Sequence, residues 1–328
     1  MKLELDPIFE TFFLLLDSNG EKKQKKEVIR QLDDYGINGA AFYAAHYAVA
    51  ERYFDAFADR MVETPGNAVF EDMSDELALL VIAILFLHPE WLDDFDAVAD
   101  RDALAVVRDA VTEWLESGED AIGALEASEL SDRAKWQIAA LLQQPKQKFA
   151  LVIEAINANI AAFRHAAAKL DAEIAPLLAQ LGSHVENGTL PPVVHSLSTF
   201  DPEARVVPSM AVSLVLMAFG EFCVIGLLLD KVFSDQDESL TDTEAILVAK
   251  SLSDASKLEI LRTLKGGSQY NLELAQTLGL TPATISHHMS MLLSAGLVEV
   301  SKKGSRVYYR LCTGGIERYR VWLEEALL

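Results

Sequence analysis

Leu280-Thr281-Pro282-Ala283-Thr284-Ile285-Ser286-His287-His288-Met289-Ser290-Met291-Leu292-Leu293-Ser294-Ala295-Gly296-Leu297 is the stretch that decides the fold. Thr281 is placed to accept free N–H groups as an N-cap, and Pro282 stands at the first helical position, where no N–H is needed. Ile285, Met289, Leu292 and Leu293 recur at three- and four-residue spacing and share one apolar face. Ala283, Thr284, Ser286, His287 and Ser290 fall on the outward side, and Gly296 closes the helix. The pattern predicts a helix over 282–295 with an apolar back and a small, polar front.

Working upstream, Thr241–Ser251 has helical spacing, and Ser253-Asp254 caps a second helix over Ala255–Leu264 with Leu258, Ile260 and Leu261 inward. Gly266-Gly267 stops it, and Asn271–Leu278 forms a third short helix ended by Gly279. Downstream, Leu297–Val300 and Arg306–Leu311 read as two strands joined by the turn Ser301-Lys302-Lys303-Gly304-Ser305. Two helices across a tight glycine turn, followed by a hairpin, make a winged helix-turn-helix. Such a helix fits the DNA major groove, where short hydroxyls and an imidazole reach base edges and phosphates. Thr284, Ser286 and His287 are therefore candidate DNA contacts, with Lys302, Lys303 and Arg306 supplying cations from the hairpin. Against this stands the plainer reading of exposed polar filler and solvated turn lysines. His288 leans toward the domain interior or the helix edge.

Charge first argues the other way. The 328 residues hold 28 Lys and Arg against 50 Asp and Glu, a formal charge of −22, which opposes general affinity for nucleic acid. From Leu240 onward, however, ten basic residues face nine acids, a net of +1, which leaves 18 against 41 and a net of −23 for residues 1–239. The acidity belongs wholly to the first part. The run Ser234-Asp235-Gln236-Asp237-Glu238-Ser239 reads as a linker between two chemically different units, at 1–233 and 240–328.

The first unit reads as an α-helical bundle of eight or nine helices, giving a mainly α protein. Amphipathic stretches recur at Gly39–Met61, Ser74–Leu87, Asp102–Ser117, Asp132–Gln143 and Lys146–Leu181, with breakers at Pro65-Gly66, Pro89 and Pro145. Met210–Leu229 carries one charge, Glu221, and reads as a helix buried in the bundle rather than a membrane span. Phe42, Tyr43, Tyr47, Tyr53, Phe54 and Phe57 read as core, with an aromatic ligand pocket as the alternative. Lys22, Lys23, Lys25 and Lys26 read as a solvated cluster, with an extra DNA contact as the alternative. Five scattered histidines show no metal-ligand spacing. Two cysteines and an N-terminus without a basic-then-apolar layout point to a reducing, cytoplasmic setting. No phosphate-binding glycine loop, H-E-x-x-H, C-x-x-C or G-x-S-x-G occurs, so no enzyme, cofactor or metal is expected.

The runs Ser253–Leu261, Leu274-Ala275 with Leu278–Thr281, Thr284–Met289, Leu292 with Ala295–Val298, and Gly304 with Val307–Tyr309 together resemble the ArsR/SmtB transcriptional regulators. The resemblance covers 241–328 only. It implies a homodimeric winged-helix repressor, paired through its first and last helices, that leaves a two-fold operator in double-stranded DNA when a signal binds. Thr284, Ser286 and His287 fall at its recognition-helix positions, Lys302, Lys303 and Arg306 on its wing, and Ile316, Tyr319, Leu323 and Leu327 on its dimer helix. Metal-sensing members carry cysteines where this chain has Tyr270 and Leu272, and others carry Asp, His and Glu ligands on the last helix, where this chain has Glu317, Glu324 and Glu325 but no histidine. Metal sensing through the usual sites is therefore not expected. The expectation is a ligand-responsive repressor whose acidic unit senses a small molecule or protein effector. The alternatives are an acidic unit that only mediates protein interaction or dimerisation, and an all-α enzyme with a DNA-binding tail.

Overall fold

Helix α1 (Pro7–Asn19) opens the larger of two apolar cores, burying Phe9, Phe12, Leu14 and Leu15 completely. The computed structural model describes residues 3–19, 25–34, 38–115, 120–128, 130–187, 205–219, 222–233, 240, 242–280, 282–303 and 306–328. After α1 come α2 (Lys25–Asp34), α3 (Gly39–Phe42), a wide π turn at Tyr43–Tyr47 and α4 (Ala48–Ala58). Next are α5 (Asn67–Glu71), α6 (Asp75–Leu87), α7 (Trp91–Asp94), α8 (Asp100–Trp114), α9 (Ala121–Ala127) and α10 (Asp132–Gln143). The long α11 (Pro145–Lys169) and α12 (Asp171–Asn187) follow.

Local chemistry explains the boundaries. Ser74 accepts from Leu77 N at 3.3 Å, Asp120 from Gly123 N at 2.9 Å and Ser131 from Ala134 N at 3.2 Å, each satisfying a free donor at a helix start. Pro145 begins α11, as its missing N–H permits. The helix expected over Lys146–Leu181 breaks at the buried Leu170, and Pro176, unable to donate to the i−4 carbonyl, lies in the following segment. The described residues hold more helices than eight or nine, because pieces of four or five residues such as α5 and α7 show no period. Phe42, Tyr43, Tyr53 and Phe57 are core residues, and Lys25 Nζ lies 4.5 Å from the centroid of the Tyr43 ring. Lys22, Lys23 and the expected linker at 234–239 lie outside the described residues.

Met210–Leu229 corrects the expected buried helix. Strands β1 (Arg205–Ser209), β2 (Leu216–Phe219) and β3 (Phe222–Gly226) form a sheet ordered β1-β3-β2, and helix α13 (Leu229–Phe233) starts only at the end of the segment. β1 runs parallel and β2 antiparallel to β3. Every residue of β3 is buried, and a strand covered on both faces has the same unbroken apolar run as a buried helix. A Cβ on Gly226 would collide with the Val212 and Ser213 carbonyls, so the strand end requires glycine. Gly220 and Glu221 lie outside the described residues. No helix of the described residues is long and apolar enough to cross a membrane.

One acid sits inside this core. Glu10 is fully buried and accepts from Tyr53 Oη at 2.7 Å, Ser209 Oγ at 2.5 Å, Met210 N at 3.1 Å and Ala211 N at 3.2 Å. It thereby ties α1 to α4 and to the end of β1. Burial pushes its carboxyl up to about 7, against the opposing pull of these four donors.

The second core belongs to α14 (Asp242–Ser253), α15 (Ala255–Leu264), β4 (Gln269–Tyr270), α16 (Asn271–Leu278), α17 (Pro282–Ser294), β5 (Val298–Lys303), β6 (Arg306–Leu311) and α18 (Thr313–Leu327). Its buried residues include Val248, Ile260, Leu274, Ile285, Met289, Leu292 and Leu297. The antiparallel sheet is ordered β4-β6-β5. This is the mainly α architecture with a C-terminal winged helix-turn-helix.

Candidate nucleic-acid interface

The turn between α16 and α17 sets the geometry. Gly279 adopts φ 65°, a left-handed conformation that favours glycine, and Leu280 N donates to Ala275 O at 3.1 Å to close α16. At the other end of α16, Glu273 reaches back to accept from Tyr270 N at 3.1 Å. Thr281, expected as the N-cap of α17, lies outside the described residues. Within α17, Ile285, Met289 and Leu292 are at most 1% exposed, which fixes the rotation of the helix and turns Ser286, His287 and Ser290 to solvent. Gly296, at φ 64°, ends the segment with Leu297 N donating to Leu292 O at 3.0 Å.

The candidate contact residues fall in two groups. Ser286 and His287 are exposed, while Thr284 is half-buried and has a partner within the protein. On the wing, β5 extends to Lys303, so Lys302 and Lys303 belong to a strand rather than to the expected turn. Lys302 pairs with Val307 and Lys303 with Arg306 across the hairpin, placing the three basic residues at its far end. Nearer the body, Arg310 forms an ion pair with Glu299.

Two further arrangements support α17: the Asp254 cap is the one expected from the sequence, whereas its Lys257 ion pair and the Asn271–Ser286 bond are not evident from the sequence pattern. Asp254 caps α15 by accepting from Lys257 N at 3.0 Å, and its other oxygen lies 3.2 Å from Lys257 Nζ, whose side chain is only 8% exposed. The Lys257 backbone N–H and then its ammonium hold the Asp254 carboxyl below the ordinary range. Partial burial, followed by the Lys257 charge, lowers the His288 imidazole; its Nδ1 is buried with no partner among the described residues. His288 is half-buried. Separately, Asn271 Nδ2 donates to Ser286 Oγ at 2.7 Å, joining the start of α16 to the outward face of α17.

The two positions compared above with the cysteines of metal-sensing members are Tyr270 and Leu272. Tyr270 packs edge-on against Tyr308 with centroids 5.6 Å apart, and Leu272 is exposed. Glu317 and Glu324 on α18 both bond to Arg320. Among the described residues no three His, Cys, Asp or Glu side chains converge as a metal site.

Comparison with known proteins agrees with this geometry. Residues 254–300 match the family described as bacterial regulatory protein, arsR family. The transcriptional repressor SdpR of Bacillus subtilis is 32% identical over 76 residues, which are 23% of this chain and 84% of that protein. The arsenical resistance operon repressor of Staphylococcus aureus is 37% identical over 68 residues, 21% of this chain and 65% of that one. The HTH-type transcriptional regulator CmtR of Mycobacterium tuberculosis is 35% identical over 71 residues, 22% of this chain and 60% of its own length. All three matches fall short of a quarter of this chain, so they speak for its helix-turn-helix and not for the acidic helical bundle. Through that helix-turn-helix, the chain belongs to the arsR family of bacterial regulatory proteins.

Proposed function

We propose that this chain is a transcriptional repressor that binds a two-fold DNA operator as a homodimer and releases it in response to an effector. The observation that carries the reading is the division of α17: one face is sealed into the second core, and the other offers Ser286 and His287 to solvent. In this reading those two residues and Thr284 face base edges and phosphates, and Lys302, Lys303 and Arg306 meet the flanking backbone. Exposed Ile246 on α14 and Ile316 and Leu327 on α18 support pairing through the first and last helices of this unit. Separate cores support a division of the chain near 234–239. The first unit then serves as the sensor, and the net charge of −23 over residues 1–239 disfavours any docking that brings it against phosphate.

The test is fluorescence anisotropy of the full-length protein with DNA from upstream of its own gene. Tight, salt-sensitive binding that Arg306→Ala or His287→Ala weakens supports the proposal. Equal binding to random DNA, indifferent to both substitutions, removes it. A compound that raises the melting temperature of the protein and releases the DNA identifies the effector; conversion of that compound points to an enzyme instead.

A further inference from the structure

We propose that Asn271, which lies outside the recognition helix, determines which base edge Ser286 reads. The inference rests on the proposed operator reading and concerns the hydrogen-bond polarity of one side chain. A serine hydroxyl has one hydrogen to give and two lone pairs that accept. Asn271 Nδ2 donates to Ser286 Oγ at 2.7 Å, so one lone pair is occupied by the protein itself. The hydroxyl hydrogen is unspent: Ser286 bonds no acceptor among the described residues, although Ser290 and Ser294 on the same helix give theirs to the carbonyls of Ser286 and Ser290, each at 3.0 Å. Accepting a hydrogen bond also strengthens a hydroxyl as a donor. Ser286 is exposed, so its free hydrogen is available to a partner outside the protein.

The consequence is a preference at one base pair. In the major groove guanine offers N7 and O6, adenine N7 and thymine O4 as acceptors, whereas cytosine offers only its amino donor. A donor-poised Ser286 selects the acceptor edges and disfavours cytosine at the position it faces. Aspartate at 271 would reverse this polarity. Its carboxylate accepts the Ser286 hydrogen, leaves only lone pairs facing outward, and turns the preference toward cytosine or adenine amino groups. Alanine at 271 frees both functions and flattens the preference.

The test is selection of bound duplexes from a randomised pool by full-length wild type, Ser286→Ala, Asn271→Asp and Asn271→Ala, with melting curves to establish that each variant is folded. The expected result is one symmetry-related position at which wild type enriches acceptor edges, Asn271→Asp enriches amino donors, and Asn271→Ala and Ser286→Ala lose discrimination about tenfold, the value of one good base contact. Other positions keep their preferences. If Ser286→Ala changes that position and neither Asn271 variant does, the role of Asn271 is refuted while the operator reading stands. A loss spread evenly over all positions, or unfolding of both Asn271 variants, makes the residue structural and equally overturns the inference. Absence of any enriched sequence with wild type overturns the operator reading beneath it.

Discussion

Gly315, in the first turn of α18, lies so close to Gly296 that a methyl group added to it would fall under 3.0 Å from the Gly296 carbonyl oxygen. Nearby, Cys312 N donates to Leu297 O at 2.9 Å. The last helix is thus seated directly on the turn that ends α17 and begins the wing. Gly315→Ala should destabilise the fold by ~1–3 kcal/mol, the usual cost of forcing atoms into a packed site. The measurement is urea unfolding, with Gly314→Ala as control, since a Cβ there meets nothing within 4 Å. Equal stability of the two variants would show that the contact can relax freely.

Glu10 predicts a pH dependence of the first unit. Its carboxyl is at about 7 in the fold against 4.5 as the ordinary value, so the folded state binds the proton more tightly. The stability this contributes is fully present below 4.5 and is lost as pH rises through about 7. Glu10→Gln keeps the shape without the charge. The difference in unfolding free energy between the two proteins should therefore move in favour of the variant by on the order of 3 kcal/mol between pH 4.5 and 8.5. Glu10→Ala, in contrast, should be destabilising throughout, because it strands Tyr53, Ser209 and two backbone donors. A wild-type-minus-Gln difference that stays flat with pH would place the ionisation elsewhere.

The two units differ in how openly their sequences speak. α17 was readable because Ile285, Met289 and Leu292 alternate with polar residues at a helical period and are bounded by Pro282 and Gly296. Phe222–Gly226 was not, because a strand buried on both faces has no alternation to read. Sequence position also hides partnerships: Glu10 and Ser209 meet from opposite ends of their unit, and only folding brings them to 2.5 Å. A lone acid inside Ile8-Phe9-Glu10-Thr11-Phe12-Phe13 was the available signal for that site. Asn271 and Ser286 are separated by a whole turn of the motif, and the spacing that assigns Ser286 to the outward face says nothing of what touches it.

Asp254 both caps α15 and balances a nearly buried ammonium, and substitutions can separate these tasks. Asp254→Asn keeps an acceptor for Lys257 N but removes the charge facing Lys257 Nζ. Asp254→Ala removes both. The alanine variant should lose about 1 kcal/mol for the cap and more for the unpaired Lys257, with the asparagine variant between it and wild type. Because the folded carboxyl is held below 3.8, the wild-type advantage over asparagine should persist at neutral pH and disappear as pH falls through that lowered value. Chemical denaturation of the three proteins at pH 7 and pH 3 measures the order. Identical stability of Asn and Asp at pH 7 would reduce the site to a cap.

The wing and the recognition helix should fail in different ways. In the proposed complex, each phosphate contact made by Lys302, Lys303 or Arg306 releases a counterion, so log affinity falls with log salt by about 0.9 per contact. Replacing one of the three by alanine should weaken binding to all sequences alike and reduce that slope by about 0.9 for each subunit's contact, or about 1.8 for a symmetric dimer. His287→Ala should instead act unevenly, costing more on the operator than on random DNA if the imidazole meets a base edge. Affinities measured at four salt concentrations on both DNAs separate the cases. Arg310 provides the internal control: it is basic and on the same hairpin, but Glu299 already neutralises it, so Arg310→Ala should leave the slope nearly unchanged. A slope that falls equally for Arg306→Ala and Arg310→Ala would mean that net charge, and not the position of the hairpin's far end, governs how this unit meets phosphate.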